Sequence, residues 1–139
     1  MSNHTPGPWR WEVNMESKIL HLVGGKPQFD LTILEPTRWG MGSATLMLRD
    51  TAHDGMNIMH KLHERRDWVS PFPGREHHAN WCTAVKHPDM QLIEAAPDML
   101  AALKYLMAAT VPMTSQQEEC WISVRAAIAK ATGSSHGEI

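Results

Sequence analysis

Within nine residues, Pro73-Gly-Arg-Glu-His-His-Ala-Asn-Trp81 gathers a guanidinium, two imidazoles, an amide and an indole. Little in that composition would fill a core, so the segment suits surface chemistry. Arg75 can hold a phosphate through its planar, bidentate fork. Trp81, or Trp39 earlier in the chain, can stack on a purine, a contact of roughly 1–3 kcal/mol per base. His77, His78 and Asn80 can hydrogen-bond base edges or ribose hydroxyls. Arg65, in the pair Arg65-Arg66, adds a second cation for phosphate. These residue types suit non-covalent capture of a nucleotide. The competing reading is structural: Arg75 pairs with a carboxylate, the histidines bond backbone groups, and the tryptophans cover the core.

Other chemistries find less in the chain. Six of its nine histidines fall between His53 and His87, with His60 and His63 three apart and His78 and Cys82 four apart. No Cys-x-x-Cys or His-Glu-x-x-His pairing accompanies them, and they fall on different expected elements, so neither a metal nor another cofactor is expected. There is no Gly-x-Ser-x-Gly elbow, phosphate-cradling glycine loop or dinucleotide fingerprint. A general base at His77 or His78 would make the protein a small phosphoesterase. That imidazole lacks an identifiable partner beyond the adjacent Glu76, so the chain is expected not to be an enzyme.

The elements that must position these groups follow from patterning. Trp9–Val13, Lys18–Val23, Phe29–Leu34 and Ala44–Leu48 alternate or run apolar between turn residues, and Pro36 is expected to stop the third. Residues 51–67 carry Met56, Met59 and Leu62 at helical spacing. Residues 68–88 form a long loop pinned by Trp68, Phe72 and Trp81. Ile93, Ala96, Leu100, Leu103 and Met107 step by three and four, with Pro97 starting a new helix or kinking the old one. Thr114 with Gln117 or Glu118 offers a cap for a last helix through Trp121, Val124 and Ile128, ended by Gly133. The expected fold class is therefore α+β, an N-terminal antiparallel β-meander packed against a C-terminal αα-hairpin. Residues 1–133 make one domain and 134–139 a frayed tail.

The chain's 139 residues suffice for a real core, with 42% hydrophobic and 20% charged residues. A net charge of −2 argues against broad binding to nucleic acid polymers or anionic membrane. No apolar run approaches the roughly 18–20 residues of a membrane span. Only Cys82 and Cys120 are present, too few for a disulfide framework, which points to the cytoplasm. Trp9, Trp11 and Trp121 suit core or interface. Trp121, Ile122 and Val124 make the last helix apolar over more than one stripe, which predicts a homo-oligomer joined partly through the helices.

His4-Thr-Pro-Gly-Pro-Trp9 and Asp89-Met-Gln-Leu-Ile-Glu-Ala-Ala-Pro97, together with the 73–81 segment, resemble a family of small bacteriophage and prophage accessory proteins. These open on a TPGPW-like element and end on an LIAAAP-like helix. The layout is similar to the anti-Thoeris sponges. That resemblance implies a dimer or hexamer that sequesters a cyclic ADP-ribose derivative or cyclic oligonucleotide, without cleaving it, in the cytoplasm of an infected bacterial host. The chain carries Asp89 where the motif has Asn and Gln91 where it has Arg, which would weaken phosphate binding if those positions touch ligand. A protein-binding inhibitor of a host defence enzyme is the alternative, with tryptophans as anchors.

Overall fold

The computed structural model describes residues 4–26, 30–38, 44–78 and 83–134. Five antiparallel strands come first: β1 (Trp9–Asn14), β2 (Ile19–Gly24), β3 (Leu31–Arg38), β4 (Ala44–Arg49) and β5 (Met59–Lys61). They form one sheet in sequence order. A two-stranded ladder of β6 (Val69–Pro71) and β7 (Thr83–Val85) follows. Helices α1 (Pro88–Ala109) and α2 (Ser115–Thr132) complete the α+β fold. The chain divides into two compact units, Met1–Ile93 and Glu94–Ile139.

The core of the first unit is centred on the middle strands of the sheet. Leu22, Leu34 and Leu48 lie directly opposite one another across β2, β3 and β4. With Ile33 and Trp68 they form the buried cluster, on which Trp9, Leu46, Leu62 and Met90 pack. The meander arises from period-2 alternation broken by turn residues. At the first turn the Asn14 side-chain oxygen accepts from the Glu16 and Ser17 N–H groups, closing β1 onto β2.

Three expectations need correction. β3 runs through Pro36 to Arg38 instead of stopping at the proline. β2 pairs with β3 only as far as Leu34, so Pro36 lies beyond β2's reach and its missing N–H costs no bond to that strand. Residues 51–67 are not a helix. They hold turns, β5 and two short 3-10 segments, Leu62–Glu64 and Arg66–Trp68. Gly55 takes φ +69°, and the carbonyls of His53 and Met56 accept from the Arg49 guanidinium rather than from a helical ladder. The 68–88 stretch is not all loop, since β6 and β7 pair within it, and Trp68 anchors it in the core.

Helix α1 starts earlier than the stripe alone suggests and continues through Pro97. The proline forgoes only the bond to the Ile93 carbonyl. α2 has the expected cap. Thr114 Oγ1 accepts from the Gln117 N–H at 3.1 Å, while Gln117 Oε1 accepts from the Met113 N–H at 2.6 Å. Gly133 closes the helix in the left-handed region at φ +72°.

Candidate functional site

The loop after β6 is built on a turn that its sequence dictates. Pro73 and Gly74 occupy the central positions, Gly74 at φ +84°, and the Arg75 N–H donates to the Phe72 carbonyl at 2.9 Å. That is a type II turn, which needs glycine at its third position. Glu76 Oε1 accepts from the Gly74 N–H at 3.1 Å. Its own N–H and that of Gly74 hold the Glu76 carboxyl below its ordinary range. A 3-10 turn, Glu76–His78, follows.

This frame displays Arg75 and His77 at the surface, both exposed. The Arg75 guanidinium lies 5.7 Å from the Phe72 ring centroid, a cation–π geometry. The backbone of His78 continues the turn. The His78 side chain, Asn80, Trp81 and Trp39 lie outside the described residues. Arg65 is placed differently. Its guanidinium pairs with Asp67 at 2.7 Å and Asp50 at 3.2 Å, and stacks 4.2 Å over Trp68. The Asp67 bond comes first in raising the Arg65 pKa, and the same bond lowers the Asp67 carboxyl to about 2. Two carboxylates thus already engage the fork proposed for phosphate.

Asp50 is the hub of a second polar group. Its Oδ2 lies 3.8 Å from His53 Nε2 and 3.9 Å from His60 Nε2, besides the Arg65 contact. Desolvation raises its carboxyl, but the Ala52 N–H and Arg65 outweigh that and leave it below the ordinary range. Among the described residues, no group of three His, Cys, Asp or Glu side chains is placed to hold a metal ion.

The tightest polar arrangement is one that residue chemistry alone did not single out. Thr5, Arg49, His87 and Asp89 are all buried, three of them with no exposed surface. The Thr5 N–H donates to Asp89 Oδ1 at 2.5 Å, and the Thr5 hydroxyl donates to Asp89 Oδ2 at 2.6 Å. Arg49 Nε and Nη2 donate to that same hydroxyl oxygen at 3.1 and 3.0 Å. His87 Nε2 donates to the Arg49 carbonyl at 2.7 Å, and its Nδ1 accepts from the Asp89 N–H at 3.1 Å. The imidazole therefore caps α1 with its proton on Nε2. Pro88 at the first helical position and Asp89 in the first turn suit a helix start. Each end of this network belongs to a motif noted in the sequence, Thr5 to His4–Trp9 and Asp89 to the helix motif.

The Thr-Pro-Gly-Pro segment seats against Gly24. A Cβ there would lie 2.7 Å from the Pro6 carbonyl oxygen, so only glycine fits. The Trp9 indole N–H donates to the Thr5 carbonyl at 2.8 Å, and the Gly25 N–H to the Pro8 carbonyl at 3.2 Å. In the second unit, an apolar groove of about 260 Å³ is lined by Leu106, Met107, Val111, Cys120, Trp121 and Val124, among others. Its described lining includes no Arg, Lys or His, which suits apolar contact better than phosphate.

Fold and network together define a small α+β protein whose N-terminal segment is clipped to the start of its first long helix. The chain belongs to the family described as Salmonella phage P22 protein Y8K6, whose model matches residues 1–135. That membership supports a phage origin. No curated protein and no solved structure matches the chain. Among the described residues, no helix is long and apolar enough to cross a membrane.

Proposed function

We propose that this phage protein acts by binding without turnover, sequestering an anionic cyclic nucleotide immune signal in the cytoplasm of the infected cell. The observation that carries this reading is the display of Arg75 and His77 on a turn made by Pro73 and Gly74 and braced by Glu76. A guanidinium and an imidazole two residues apart match a phosphate and its neighbouring ribose or base edge. The resemblance to anti-Thoeris sponges names the ligand class: a cyclic ADP-ribose derivative or a cyclic oligonucleotide. Sequestration needs affinity alone, and a nanomolar constant is about −12 kcal/mol, within reach of stacked bases plus a few charge-assisted bonds.

The test is capture. The protein is incubated with each candidate signal, filtered, denatured, and the released small molecules analysed. Intact recovery supports sequestration. Conversion would indicate a phosphoesterase, and release of nothing would refute the proposal.

A second reading, a protein-binding inhibitor of a host defence enzyme, is favoured by exposed apolar side chains. Tyr105, Leu106, Val111, Met113 and Ile122 stand exposed on the helical unit, and Ile122 is 62% accessible. Such surface ordinarily marks a protein contact. It also supports the proposal that copies of the chain associate through their helices.

A further inference from the structure

The five-stranded sheet ends on β1, whose outer edge has no strand neighbour among the described residues. Edge strands expose unpaired backbone groups, and proteins usually blunt them with proline, lysine or a very short strand. β1 runs six residues, Trp9-Arg-Trp-Glu-Val-Asn14, with neither proline nor lysine. Its register with β2 sets the faces. Trp9, Trp11 and Val13 stand opposite Gly24, Leu22 and Leu20, on the face that holds the core residue Leu22. Arg10 and Glu12 stand on the other face, opposite Val23 and His21. Trp9 packs on the core, yet Trp11 is 61% and Val13 57% exposed. The core face thus continues past the core as an uncovered ledge.

We infer that β1 pairs antiparallel with β1 of a second copy, about a two-fold axis through Trp11, joining two sheets into one. Side chains directly opposite across a ladder share a face, so the axis must pass through a residue rather than between two. An axis at Trp11 sets Arg10 opposite Glu12 of the second copy, twice by symmetry. It also sets Trp11 opposite Trp11, and Trp9 opposite Val13. Opposite charges and aromatic or β-branched neighbours are the cross-strand pairs that stabilise sheets. An axis at Glu12 would oppose two carboxylates, and one at Arg10 two guanidinia. Of the two registers that pair five residues of the strand, only the one centred on Trp11 avoids a like-charge clash.

Within one copy, Arg10 already donates to Glu12 at 3.0 Å, to the Gly25 carbonyl at 3.0 Å and to Asp30. The pairing would extend this charged row across the axis, while the exposed Trp11 and Val13 gain apolar cover on the opposite face. The second copy is favoured over another partner because the strand complements itself in both charge and shape.

The experiment uses the full chain with Cys82→Ser and Cys120→Ser. Directly opposite Cα atoms in an antiparallel ladder lie about 4.5–5.5 Å apart, inside the disulfide range of about 4.4–6.8 Å. Trp11→Cys should therefore cross-link to itself under mild oxidation. Val13→Cys, which would face position 9, should not. Wild-type protein at micromolar concentration should scatter light with at least twice the 15.6 kDa chain mass. Glu12→Arg, which opposes two guanidinia on each side of the axis, should raise the dimer dissociation constant about tenfold or more with the circular dichroism unchanged. A monomeric wild type overturns the inference. So does a dimer that ignores Glu12→Arg and yields no cross-link at position 11, which would place its interface on the helices.

Discussion

Replacing Asp89 tests whether the buried network holds the first unit together. The Asp89 carboxylate, fully buried, accepts both the Thr5 N–H and the Thr5 hydroxyl. Asp89→Ala would strand two buried donors and leave the Arg49 guanidinium, itself 3% exposed, without its anionic counterpart one hydroxyl away. A hydrogen bond to a charged group contributes about 1.5–3 kcal/mol, and removing one partner of a buried charged pair costs about 3–5 kcal/mol. These overlap rather than add, so the expected loss is about 3–5 kcal/mol. That is a large share of the ~5–15 kcal/mol by which domains are stable.

The assay is urea unfolding followed by tryptophan emission and far-ultraviolet circular dichroism. Asp89→Asn should fall between wild type and alanine. Its carbonyl can still accept from the Thr5 N–H, but its amide would meet a hydroxyl oxygen that Arg49 already contacts twice. Thr5→Val should cost less than Asp89→Ala, because it keeps the backbone donor. The double variant should lose less than the two single losses combined, since both remove the same contact. An Asp89→Ala protein within about 1 kcal/mol of wild type, below the cost of a stranded donor, would refute the reasoning.

Three further outcomes are expected. Arg75→Ala should weaken capture of a cyclic nucleotide by about 10- to 100-fold, the loss of one charge-assisted bond, with an unchanged urea midpoint; equilibrium dialysis reads the first and unfolding the second. Gly24→Ala should destabilise by about 1–3 kcal/mol, because its Cβ meets the Pro6 carbonyl at 2.7 Å, which the same urea titration measures. Asp50 and Asp67 both have lowered carboxyls in the fold, so each contributes stability above the ordinary carboxylate range that is lost as pH falls through the folded value. For Asp67 that window runs from 3.8 down to about 2, so acid titration of stability should steepen there, and Arg65→Met should flatten it.

The first four strands were legible because short alternating or apolar runs between turn residues mark them. Trp9, Trp11 and Val13 fall on the same side as Leu20 and Leu22, as period-2 patterning requires. The α2 cap was legible because Thr114 and Gln117 act within four residues of each other. The turn of residues 51–57 was not, since its carbonyl partner is the side chain of Arg49, outside any window that counts apolar spacing. β5 escaped for a related reason: Met59 to Lys61 is too short to show a period, and its pairing with β4 fixes it. The Thr5–Asp89 link spans 84 residues, so no local pattern reports it. The signal available was that two segments singled out together as motifs could be touching.

That contact changes where function should be sought. Asp89, where the resembling helix motif has asparagine, points into the fold and is closed off from any ligand by Thr5 and Arg49. Its exchange for asparagine therefore bears on stability before it bears on phosphate binding. Arg65 is likewise engaged by Asp50 and Asp67. Of the described cations near the loop, Arg75 stays at the surface on a turn whose shape Gly74 secures, and Arg66 is exposed beside Arg65. The proposed capture of an anion rests on the display of Arg75 and His77 by that turn. The two segments that this contact joins bear on how the chain folds, and the exposed turn and the edge strand are where the proposed contacts lie.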